Sequence, residues 1–157
     1  MIDCKKISRN IRVVYAALLA AVVTLVVLCE FQVFPIEGMM LSLDPGAMYI
    51  LEVGMLFAVG LGILAALKGF NWCLLHKVYA VEGVERAALY QALSNARNCL
   101  LNALMVLGVV FYYGTLQNWG MYYALAAFVA SLFCLPSAEG VEIELTMDKN
   151  HFMIENK

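Results

Sequence analysis

The chain has 157 residues, of which 64% are hydrophobic and 14% charged, with a formal net charge of −2. Average soluble domains carry about 25% charged residues, and the mean hydropathy here is +0.82. Such a composition excludes an ordinary water-soluble core and a basic nucleic-acid-binding surface, and it points to a bilayer as the solvent for much of the chain.

Spanning the hydrocarbon takes roughly 20 apolar residues per helix. Four segments meet or approach that length, at about 11–29, 47–67, 99–116 and 119–136. The last two are short, so their ends are loosely defined. Backbone groups in lipid must be satisfied within their own segment, so all four read as helices. The expected fold is an all-α membrane protein. A four-transmembrane-helix bundle occupies 1–136, with a long helical cytoplasmic extension at 68–98 between the second and third helices. A tail follows at 137–157.

Orientation follows from the cations. Lys5, Lys6, Arg9 and Arg12 precede the first span; Lys68, Lys77, Arg86 and Arg97 lie between the second and third; Lys149 and Lys157 are in the tail. The other two loops hold none, and the first of them carries Glu30, Glu37 and Asp44. The positive-inside rule then places both termini in the cytoplasm of a bacterial-type inner membrane. The first span starts like a secretory signal, but its apolar run is long and no Ala-x-Ala site ends it.

In the first span, Ala16, Ala20 and Thr24 form one smooth line, with Ala17 and Ala21 beside it. The first outer loop, 30–46, is apolar for a loop and is expected either in the headgroup region or docked on the bundle. Asp44-Pro45-Gly46 restarts the helix. Asp44 can accept from exposed N–H groups there, and Pro45 needs no donor in a first turn.

The second span carries the sharpest pattern. Gly54, Ala58, Gly62 and Ala66 recur every fourth residue. Such a stripe lets a neighbouring backbone come close, and packing on the first helix within the same chain is its expected use. A dimer contact is the alternative. Glu52 is the one acid within a span. A carboxylate in hydrocarbon costs a few kcal/mol unless hydrated, paired or protonated. It is expected among outer headgroups on a tilted helix, with proton or substrate binding as the alternative.

No Gly or Pro interrupts the chain from Val84 to Gly108, so one helix can run from the cytoplasm into the third span. Gln91, Asn95, Asn98 and Asn102 share one face of it. Asn98 and Asn102 are the candidate intramembrane polar residues. They either fix register through interhelical hydrogen bonds or line a vestibule for a headgroup or solute. Tyr112, Tyr113, Trp119, Tyr122 and Tyr123 surround the turn at 114–118 and suit an aromatic belt. In the fourth span Ala126, Ala127, Ala130 and Ser131 form a small-residue face.

The tail alternates apolar and polar residues from Val141 to Met147, a strand period. It reads as a short C-terminal β-hairpin covered by the inner loop or a partner, or else as a disordered acidic tail.

Catalytic and metal signatures are weak. Cys73-x-x-His76 is too little for structural zinc, which wants four ligands. Only Cys29 lies on the oxidising side, so no internal disulfide is expected. His76, Glu82, Glu85 and Tyr90 could supply acid and base without forming a recognisable constellation. The sequence therefore suggests no cofactor and no metal, with membrane lipids and a homo-oligomer or membrane-complex partner as its associations. An interaction or accessory subunit is the leading expectation. A small transporter or channel using Glu52 and the Asn98–Asn102 line is one alternative; an enzyme acting on a lipid or hydrophobic small molecule is the other.

Overall fold

A computed structural model of the chain describes residues 4–33, 36–78, 84–135 and 141. The described residues form a helical bundle of four α-helices: α1 Cys4–Glu30, α2 Pro45–Cys73, α3 Val84–Thr115 and α4 Trp119–Phe133. A π-helical turn, Leu74–Val78, prolongs α2. Three helices, Lys6–Glu30, Pro45–Cys73 and Glu85–Thr115, are long and apolar enough to cross a membrane. The fourth is apolar but has only 15 residues, about 22 Å at 1.5 Å per residue. The expected fourth span, 119–136, is thus shorter as a helix than a full crossing.

Local chemistry starts and stops these helices as the sequence suggests. Asp44 caps α2, its carboxylate accepting from the Gly46 N–H at 3.2 Å, with Pro45 in the first turn. α3 runs unbroken through 32 residues, as the absence of Gly and Pro before Gly108 predicts. The first loop docks on the bundle. The Gly38 and Met40 N–H groups donate to the carbonyls of Tyr113 and Gly114, both at 3.0 Å. Those carbonyls end α3 and would otherwise lack partners. Gly38 makes the loop possible with a φ of +68°, a conformation cheap only for glycine.

α3 is the centre of the bundle, not α2. It packs most extensively on α4 and then on α1 and α2. α1 lies mainly along α3, so the smooth faces of α1 and α2 are not each other's principal partners. In its most apolar stretch α3 is 61% buried, against 17% for α1 and 11% for α2. α1 and α3 run parallel: their last turns are joined by Tyr113 Oη donating to Glu30 at 3.0 Å, and their first turns share the cluster of Ile11 and Tyr90. α4 returns antiparallel. Gly108 faces the backbone of Ala124 and Gly120 faces that of Tyr112. A Cβ on Gly108 would lie 2.7 Å from the Ala124 nitrogen. The two helices therefore touch backbone to backbone.

The end with Glu30, the first loop and the α3–α4 turn is called apical below, and the opposite end basal. At the basal end Ile11, Phe70, Leu74, Val78, Tyr90 and Val141 form one buried cluster. Val141, the one described residue of the tail, is buried in this cluster and is helical rather than part of the expected strand. The rest of the expected hairpin, 142–157, lies outside the described residues, as do residues 79–83 of the expected cytoplasmic extension.

Candidate functional site

Polar side chains collect in the basal half of the α1–α3–α4 core. Ser94, Asn98 and Asn102 fall at intervals of four on α3, and their exposures are 0, 0 and 4%. Asn102 Nδ2 donates to the Asn98 carbonyl at 2.9 Å, a back-bond within the helix. The Asn102 Oδ1, both polar atoms of the Asn98 amide and the Ser94 hydroxyl find no partner in the protein. Buried amides are normally satisfied, and each unsatisfied atom costs about 1–3 kcal/mol.

Two residues that the sequence does not single out as a pair complete this layer. Tyr15 of α1 and Ser131 of α4, both buried, bond through their hydroxyls at 3.1 Å. Ser131 already donates to the Phe128 carbonyl at 2.7 Å. Its proton is used, so Tyr15 is the donor and its oxygen keeps lone pairs free to accept. Ser131 reads in sequence only as a small residue. Its role becomes visible once α1 is brought beside α4.

Arg97 ties the basal ends of three helices together. Its guanidinium donates from Nη2 to the Cys134 carbonyl and lies 4.0 Å from the centre of the Phe70 ring. It caps α4, where the last carbonyls have no helical partner. In the sequence Arg97 signals only orientation.

Glu52 sits elsewhere. It is half-buried and lines an open cleft of about 520 Å³ with Leu116, Gln117, Asn118 and Trp119 at the apical end. The Tyr123 phenol lies within its electrostatic reach. Since α2 at Met55 packs near Phe111 of α3, Glu52 is level with the end of α3. Asn102 is then roughly 20 Å away along the bundle axis. Apolar layers separate the two, including Met55, Val59, Phe111 and Tyr123. The structure does not bring Glu52 and the asparagines into one site.

The stripe on α2 is divided. Ala66 is buried, and a Cβ on Gly62 would lie 2.7 Å from the Leu104 side chain of α3. Gly54 has nothing within 4 Å of its Cβ position, and Ala58 is exposed. Those two residues line an open apolar groove with Ala47, Ile50, Leu51 and Met55.

The remaining candidates stay apart. His76 Nδ1 meets the Trp72 carbonyl at 3.0 Å, and its ring stacks on Trp72. Glu85 is exposed, Tyr90 is buried against Phe70, and Glu82 lies outside the described residues. Among the described residues, no three of His, Cys, Asp and Glu cluster to hold a metal, and Cys29, Cys73, Cys99 and Cys134 are free thiols. The polar layer can therefore donate and accept hydrogen bonds, but its asparagines, serines and tyrosine supply no carboxylate or imidazole for acid–base work. Comparison of the chain with protein-family models, with curated proteins and with solved structures finds no match.

Proposed function

We propose that this chain is a small multi-pass protein of a bacterial-type inner membrane that works by association. In this reading it is an accessory subunit or the protomer of an oligomer, with both termini in the cytoplasm. One observation carries it: the chain fills the Gly62–Ala66 half of the α2 stripe with its own α3 and leaves the Gly54–Ala58 half open. Ile50, Phe57 and Leu61 stand 62–72% exposed on the same helix. An apolar surface of that extent suits lipid or another transmembrane helix, and small residues mark where a helix can come close.

The division of the stripe selects the test. A leucine at Gly62 would strike Leu104 and disturb the chain's own fold, so it cannot report association cleanly. The double substitution Gly54→Leu with Ala58→Leu adds bulk only to the open half. It is expected to abolish chemical cross-linking to the neighbouring subunit in native membranes while leaving the purified protein's melting temperature unchanged. Cross-linking at the wild-type level would overturn the reading. Orientation is checked separately: green fluorescent protein fused after Lys157 is expected to fluoresce in cells, whereas active alkaline phosphatase there would reverse the topology.

A further inference from the structure

An apolar groove of about 510 Å³ runs down the surface between α1, α3 and α4, walled by residues such as Leu19, Val26, Met105, Tyr113 and Phe128. Along α3 its lining extends from Met105 to Tyr113, about 12 Å. The polar layer begins one turn below. Tyr15 precedes Leu19 by four residues, Asn102 precedes Met105 by three, and Ser131 follows Phe128 by three. The Tyr15–Ser131 hydrogen bond thus joins α1 to α4 just beyond the groove's basal end, with Asn102 on the α3 turn at about that level and Asn98 one turn further toward the basal end. None of these polar residues lines the groove itself; they lie one turn beyond its basal end, and an apolar groove with a few unmatched polar atoms next to it has the makings of a small-molecule site.

We infer that this groove binds an apolar molecule ending in a hydroxyl, tail along the groove and hydroxyl at the Tyr15–Asn102 base. The free valences decide the headgroup. The Tyr15 oxygen, the Asn102 Oδ1 and the Asn98 Oδ1 can accept, while the Asn98 Nδ2 can donate. A hydroxyl supplies one donor and two lone pairs and so matches both kinds. A carboxylate only accepts, and its charge would be buried among acceptor oxygens. A plain hydrocarbon would leave every polar atom as it is. This site is independent of the α2 face proposed for association.

The test uses the full chain in lipid nanodiscs with a photoactivatable diazirine derivative of decanol. Labelling is expected on the α1, α3 and α4 peptides that wall the groove. Decanol should compete at a concentration about tenfold lower than decane or decanoate, the discrimination expected of one buried hydrogen bond. Asn102→Leu should erase that preference while labelling persists. Val109→Trp should fill the groove and abolish labelling, with unchanged helical circular dichroism showing that the fold survives. Equal competition by decane and decanol, or a preference that survives Asn102→Leu, would overturn the inference, as would uniform labelling of every lipid-facing helix.

Discussion

Replacing Gly120 with alanine is expected to destabilise the bundle by about 3 kcal/mol or more. The new methyl would press on the backbone nitrogen and Cα of Tyr112. Backbone atoms inside a helix cannot turn aside as a flexible side chain can, so α3 and α4 must part along their length. Gly108→Ala meets the same obstacle in the Ala124 backbone and should behave alike. Gly54→Ala is the control. Its Cβ meets nothing within 4 Å, and alanine favours a helix interior over glycine by about 1 kcal/mol. It should leave stability unchanged or slightly raised. Unfolding in a detergent–SDS titration separates these outcomes, and equal midpoints for Gly120→Ala and Gly54→Ala would refute the close crossing.

This contrast shows what the sequence reveals and what it hides. Four apolar helices, the Asp44 cap on α2, the unbroken run of α3 and the antiparallel turn before α4 all follow from local patterns. Such patterns need no knowledge of neighbours. The centre of the bundle does not follow from them. The four-residue period of small residues draws attention to α2. In oil, however, strongly apolar helices such as α1 and α2 are the ones suited to the outside, since lipid is as apolar as leucine. α3 is the least apolar of the three long helices, and it carries Asn95, Arg97, Asn98 and Asn102. Those groups need protein around them, so α3 takes the interior.

The glycine crossing was hidden for a related reason. Gly108 is followed at the next turn by Tyr112, so no small-residue stripe appears within α3. Yet Gly108 and Gly120 lie six residues on either side of Gly114 in the turn. Reflecting the chain about that turn brings the two glycines to nearly the same height. The signal was a symmetry between helices rather than a period within one. Asn98 and Asn102 were legible as polar residues inside an apolar helix. Their lack of protein partners was not, because satisfaction depends on α1 and α4, where Tyr15 and Ser131 bond to each other instead.

That lack sets the sign of the last expectation. Asn98→Leu is expected to raise stability, by on the order of 1 kcal/mol, because two unsatisfied amide atoms leave the core and an apolar side chain with the same branching and number of heavy atoms replaces them. Asn98→Asp should instead destabilise by about 3 kcal/mol, since a carboxylate at a fully buried position is far costlier to desolvate than an amide. The same SDS titration reads both. A loss of stability in Asn98→Leu comparable to that in Asn98→Asp would show the amide to be satisfied, by interior water for example. If instead the leucine variant is the sturdier protein and no longer prefers decanol to decane, fold and function pull apart at this residue. The amide then weakens the bundle and serves binding, the usual trade at a site shaped for a ligand rather than for packing.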